Sequence, residues 1–214
     1  MTELKERRPL KVRDVKLAQK IALWLSNRNI SPNVISVTSV VFALSAAICF
    51  ILMPSNNYTW LPFIAALFIQ LRLLCNLFDG MVAVEGGKST NSGELFNDIP
   101  DRIADPLIIV AVGYSIPMFS WADSLGWLVG LLAVMTAYIR TLASSMGAPT
   151  DFRGPMAKQH RMALITMASL LTIIETLIWS QGYILLTTLI IMLFGTIITI
   201  WRRISAAYHY LESN

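Results

Sequence analysis

Charge is scarce in this chain. Asp, Glu, Lys and Arg make up 14% of its 214 residues, where a soluble domain carries about a quarter. Hydrophobic residues make up 55%, and mean hydropathy is +0.60. These values exclude a free-standing cytosolic globule and make the bilayer the expected solvent. Cysteine is nearly absent too: Cys49 and Cys75 lie in apolar runs, without paired or metal-type spacing, and read as small buried hydrophobes. Only two histidines occur; His160 adjoins a basic loop, and His209 has no chemistry-bearing residue around it. Thirteen acids face seventeen bases, and eight of those bases fall within the first 28 residues. The basic balance is therefore a property of the tail. It fits an anionic membrane surface better than a nucleic-acid groove, so no nucleic-acid partner is expected.

A cleavable leader is missing as well. Residues 1–20 carry seven bases and three acids, with no short apolar core and small-residue cleavage site after them, so the segment is expected to stay on the protein. From Leu10 to Leu25, apolar residues interleave with Lys11, Arg13, Lys16 and Lys20, which predicts an amphipathic interfacial helix. Six apolar stretches follow, each near the length needed to cross the hydrocarbon core. They cover Asn33–Met53, after the helix-start signal Ser31-Pro32, then Tyr58–Val84, Ser92–Ile116, Ala122–Met146, Pro155–Ile178 and Tyr183–Tyr210.

The predicted fold is an all-α integral membrane protein. Residues 1–30 form a basic tail and interfacial helix, and residues 31–214 form a six-helix transmembrane domain. Connections Pro54–Thr59, Pro117–Trp121 and Trp179–Gly182 contain no Lys or Arg, which places both termini and the connections 85–91 and 147–154 in the cytoplasm. The compact length fits a bacterial inner membrane. Trp60, Trp121 and Trp179 read as interfacial belt anchors. Gly126 and Gly130 form a small-xxx-small pair, read as tight packing within the monomer in preference to a dimer face.

Six of the thirteen acids crowd between residues 79 and 105: Asp79, Glu85, Glu94, Asp98, Asp101 and Asp105. Beyond Asp105 only about a dozen apolar residues remain in the third span, too few to cross alone. The acidic turns must therefore be drawn below the cytoplasmic surface, where carboxylates are functional candidates by default. At 3.6 residues per turn, Asn76, Asp79 and Ala83 share one face, and Gly93, Asn97, Asp101 and Asp105 share one stripe. The short connection predicts antiparallel neighbours whose faces meet. Oxygen ligands on two facing helices suit Mg²⁺ or Mn²⁺, an ion that keeps positions open for phosphate oxygens, and Gly80 and Gly93 leave room beside them.

The segment Asn76-Leu-Phe-Asp79-Gly80-Met-Val-Ala83-Val84, eight residues, then Gly93-Glu-Leu-Phe-Asn97-Asp-Ile-Pro-Asp101 resembles the signature of the CDP-alcohol phosphotransferases. That signature reads Asp-x-x-Asp-Gly-x-x-Ala-Arg, eight residues, Gly-x-x-x-Asp-x-x-x-Asp. The resemblance extends over most of the chain, through the six spans, the interfacial helix and Ser31-Pro32-Asn33. It implies transfer of a substituted phosphate from a CDP-linked lipid, usually CDP-diacylglycerol, to an alcohol hydroxyl, with release of CMP. It also implies a homodimer, two divalent metals on the first three aspartates, and the fourth as base. Carried onto this chain, Asp79 is the metal-bridging carboxylate, Asp101 the base, and Gly80 and Gly93 the close approach to the nucleotide.

Two of the four aspartates are Asn76 and Asn97 here, and the arginine is Val84. An amide can ligate through oxygen but adds no charge, so weaker binding or loss of one ion is expected. The expected metal set is Asp79 with Asn76, Asn97 and Asp101 around the ion, and Asp105 or Asp98 restoring charge; Asp105 fits the stripe better and is counted with the ligands. Lys88 is the candidate replacement for the missing arginine. On the basic side, Arg140, Arg153, Lys158 and Arg161 are candidates for the donor's phosphates or an anionic acceptor, with topology and headgroup contact as the alternative for Arg153 and Arg161. Arg140 and Lys158 are preferred, because an unpaired charge in an apolar helix is costly. Arg72 and Arg102 are expected to pair with acids or snorkel, and Glu175 to be a paired or interfacial acid. The basic loop tilts the acceptor toward a phosphorylated alcohol. The rivals are a divalent-cation transporter and a non-catalytic lipid-binding relative. The transporter is disfavoured because the acids cluster at one face and no second half repeats them.

Overall fold

A computed structural model describes residues 15–54, 59–84, 86–88, 90, 92–178 and 182–213. Leu10–Asp14 of the predicted interfacial helix, Tyr58, Glu85 and the belt residue Trp179 lie outside them. The described residues form seven helices and no strand: α1 Lys16–Asn27, α2 Pro32–Leu52, α3 Leu61–Val84, α4 Gly93–Tyr114, α5 Ala122–Ser145, α6 Lys158–Ile178 and α7 Tyr183–Ser213.

Local chemistry sets the boundaries. Asn29 takes a left-handed φ of 57°, and Ile30 N–H donates to Leu25 O at 3.2 Å. This closes the last carbonyls of α1 in a Schellman-type stop. Two residues later Ser31 Oγ accepts from Val34 N at 3.3 Å and Pro32 occupies the first turn, so α2 starts where its sequence signal predicts. At the opposite end of the bundle Glu175, buried, accepts from Tyr183 N at 2.6 Å and Ile184 N at 3.3 Å. It caps α7, satisfying orphan donors at a helix start.

Five helices, α2, α3, α5, α6 and α7, are long and apolar enough to cross a bilayer, and the chain is an integral membrane protein. The fourth helix is the exception among the predicted spans. Its 22 residues would reach about 33 Å, but Asp98, Asp101, Arg102 and Asp105 polarise it from its second turn to its middle, a stretch that also holds Pro100 and, just beyond, Pro106. Each proline removes one backbone donor from the helical ladder.

Packing differs from the expected pairing in one respect. The third and fourth helices touch little directly, and α2 packs along both. The reason lies in side-chain size. The buried stripe of α2 holds Ser36, Ser39, Ala43, Ala46 and Ala47, which let its backbone come close, whereas the facing turns of α3 and α4 carry long polar side chains that span a gap. Gly126 packs on Gly113: a Cβ on Gly126 would lie 3.1 Å from Gly113 Cα. Gly130 lies against Pro106 and Val110. That glycine pair thus seats α5 on α4 within one chain.

Candidate active site

The acids and bases singled out above meet at one end of the bundle, where Arg72, Asn76 and Asp79 project from α3 at successive turns. Arg72 is fully buried and donates to Asp101 Oδ1 at 2.9 Å, while its guanidinium lies 2.6 Å from Asp105 Oδ1. Asn76 Nδ2 donates to the same Asp101 Oδ1 at 2.7 Å. From the start of α6, Lys158 Nζ donates to Asp101 Oδ2. The carboxylate of Asp101 therefore has both oxygens engaged. Asp105 lies one turn deeper, where Arg161 NH2 reaches its Oδ2 at 2.9 Å. Asp98 faces outward and pairs with Arg102 at 2.8 Å and Arg140 at 3.0 Å.

Asp79 is the exception. Buried at 3% exposure, it accepts from Ser36 Oγ at 2.6 Å through Oδ2, while Oδ1 accepts no hydrogen bond of ordinary geometry. The backbone N–H of Gly80 lends the carboxylate some electrostatic support. A buried acceptor in that state calls for an explanation, and a hard cation supplies one. The donor set fits one divalent ion: a carboxylate oxygen from Asp79 and the amide oxygen of Asn76, whose NH2 is turned to Asp101. Among the described residues, no group of three or more Asp, Glu, His or Cys side chains is placed to hold a metal ion by itself, so an ion here would need neutral oxygens beside the one acid.

Several expected members sit elsewhere. Lys88 Nζ donates to Ser26 O at 2.6 Å, which ties the α3–α4 connection to the end of α1 instead of to a phosphate. Asp105, counted above among the metal ligands, is held between two guanidiniums, because Arg72 and Arg161 are themselves buried and need it. Asn97 is exposed, one turn before Asp101. Gly80 and Ala83 are half-buried on α3, and Gly93 opens α4, where an added Cβ would make only ordinary contact with Thr90. Arg72 and Arg102 pair with acids, as expected. Ser36, Arg203 and Phe152 were not singled out. Arg203 is buried, and donates to Thr136 O at 2.6 Å and Arg153 O at 3.1 Å, stitching the 147–157 connection onto α7. Its intramembrane charge was the available signal; Ser36 and Phe152 gave none.

Two cavities adjoin this cluster. A small one of about 60 Å³ is walled by Asp98, Asp101, Phe152 and Lys158. A larger one of about 440 Å³ lies between the end of α5, the 147–154 connection and α7, lined in part by Thr150, Asp151, Arg153 and Tyr210. Arg140, Phe152 and Arg203 border both, and the Arg140 guanidinium lies over the Phe152 ring at 5.2 Å. On the rim, partial burial pushes the Asp151 carboxyl up, but hydrogen bonds from Arg153 and the charges of Arg153 and Arg203 outweigh it. The group sits below its ordinary value.

Residues 29–201 match the CDP-alcohol phosphatidyltransferase family. The chain belongs to that family. It is thus a phosphotransferase of CDP-alcohol phosphatidyl transfer, in phospholipid biosynthesis. It is 24% identical over 180 residues to inner membrane protein YnbA of Escherichia coli K12, covering 79% of this chain and 85% of that one. Its fold is similar to that of phosphatidylinositol phosphate synthase (PgsA1) of Mycobacterium tuberculosis. The form with CDP-DAG bound superposes with a TM-score of 0.73 at 17% identity, over 91% of this chain and 94% of that one. A complex of the same synthase with manganese and citrate gives 0.73 at 17% identity, over 89% and 88%.

Proposed function

We propose that this enzyme transfers a phosphatidyl-type group from a CDP-diacylglycerol-type lipid to the hydroxyl of a small alcohol and releases CMP. The observation that carries the reading is the buried Asp79 carboxylate with an open oxygen, at the bundle end where Asp101 is fixed from both sides. Asp79, with Asn76 and Asn97, would hold Mg²⁺ or Mn²⁺, which would supply positive charge to the β-phosphate and to the CMP leaving group. Asp101 accepts the hydroxyl proton as the acceptor oxygen bonds to the β-phosphorus and the bridging oxygen leaves with CMP. Arg72 and Asn76 fix its Oδ1 and Lys158 its Oδ2, so the base is pre-positioned, which matters because positioning and charge carry most phosphoryl-type catalysis. Gly80, Ala83 and Gly93 leave the backbone accessible to the nucleotide.

Arg140 and Arg153 on the larger cavity support an anionic, phosphorylated acceptor. The Lys/Arg-free connection after α4 supports α4 as the third of six spans, with α1 on the interface. That topology puts both termini and the site in the cytoplasm, and the likeness to YnbA supports a bacterial inner membrane. The family resemblance supports a homodimer.

Purified protein with CDP-diacylglycerol, Mn²⁺ and a panel of plain and phosphorylated alcohols tests the reading by CMP release. Release is expected with at least one acceptor, falling more than about 100-fold in Asp79→Ala and Asp101→Ala. Absence of CMP with every acceptor would overturn the function. Release that survives both substitutions would overturn the residue roles.

A further inference from the structure

We propose that this site takes a single divalent cation, on Asp79, and that Lys158 is the resident cation on Asp101. The inference rests on the phosphotransferase reading and extends it to the number of ions and to the side chain that occupies the other carboxylate.

The argument is an inventory of acceptors. Four carboxylates, Asp79, Asp98, Asp101 and Asp105, share this end of the bundle with five cationic side chains, Arg72, Arg102, Arg140, Lys158 and Arg161. A hard cation needs oxygen lone pairs turned toward it. Asp98 is spanned by two arginines and so is Asp105. Asp101 meets the Arg72 guanidinium, the Asn76 amide N–H and the Lys158 ammonium, all of them donors with no lone pair to offer. An ion placed there would face positive ends on both carboxylate oxygens. Of the four, Asp79 alone has no Lys or Arg within ion-pair reach among the described residues, and its buried Oδ1 accepts no hydrogen bond of ordinary geometry.

Charge points the same way. With Arg203, which borders the same small cavity, the protein's own cations exceed the four carboxylates by two. One divalent ion adds to that surplus an amount a diphosphate can neutralise, whereas two would load the pocket beyond it. Asn76 and Asn97 belong to the same arrangement. As aspartates they would add two negative charges beside Asp79 and Asp101 to hold a further cation, and as amides they add none. Asn76, one turn before Asp79 on the same face of α3, donates to Asp101 through its nitrogen.

The test is a Mn²⁺ titration of the full chain in detergent, with free aquo-Mn²⁺ read by electron paramagnetic resonance. One ion per chain is expected in the wild type and none in Asp79→Asn. Lys158→Met, which uncovers Asp101 Oδ2, is expected to bind two, and Lys158→Arg one. Two ions in the wild type, or one retained in Asp79→Asn, would overturn the single site. Lys158→Met staying at one would overturn the role of Lys158. The first two arms stand even where a Lys158 variant does not fold. CMP release with two ions bound sinks this inference and leaves the phosphotransferase intact; one ion bound without CMP release does the reverse.

Discussion

Asp105 and Asp98 lie seven residues apart on α4, and their surroundings set opposite expectations. Asp105, with Arg72 and Arg161, is sealed from solvent, so Asp105→Leu strands two buried guanidiniums. It is expected to cost about 3–5 kcal/mol, read as a lowered midpoint in denaturant titration of the detergent-solubilised protein. Asp98 is 39% exposed on its side chain, and Asp98→Asn is expected to cost less than about 1 kcal/mol. Ser36 is a third case. Its hydroxyl also lies 3.1 Å from Pro32 O, the ordinary bond of a serine in an apolar helix, so nothing in its position signals contact with Asp79. The signature made Asp79 and Asp101 legible because helical periodicity preserves their spacing. The partners were legible only in part, since Ser36 and Lys158 reach the cluster from other helices. Lys88 shows the converse: a loop base near the signature turns to the Ser26 carbonyl at the end of α1.

The connections carry the next set of expectations. The α3–α4 connection is held by Lys88 and by the close approach of Gly86, where a Cβ would lie 2.6 Å from Ser26 Oγ. Lys88→Met is expected to raise amide exchange in α1 while α2 and α5–α7 keep their protection, which hydrogen–deuterium exchange would resolve. The 147–157 connection is held by Arg203, Thr199 and the Asp151–Arg153 turn. The depressed folded value of Asp151 fixes the sign of its pH dependence. Its contribution is full at neutral pH and is lost as pH falls through the folded value, below about pH 4. Protection of the Arg153 amide should fall there, and Asp151→Asn should remove the response. Helix starts and stops were readable from Ser31-Pro32 and the basic and apolar periodicity. The gap between α3 and α4 was not, because connection length sets which helices follow each other and side-chain volume sets which ones touch.

Across the molecule, charge and hydrophobicity are sorted to opposite tasks. Apolar surface faces outward along α2, α3, α5, α6 and α7, while Arg72, Asp79, Asp101, Asp105, Arg161 and Arg203 are buried toward one end. At 31 residues, about 46 Å, α7 exceeds the hydrocarbon thickness, and its excess projects past Arg203 on the side of the site. On the proposed function, this layout would let a lipid-linked donor approach from the bilayer and a water-soluble acceptor enter by the cavity at Arg140 and Arg153. The most direct measurement follows CDP-diacylglycerol carrying a labelled acyl chain, with Mn²⁺ and the acceptor panel, and compares CMP formed with labelled lipid product. Transfer predicts one new phosphatidylated lipid for each CMP, only with acceptor present. CMP matched by phosphatidic acid whether or not an alcohol is added, or no CMP at all, would contradict it.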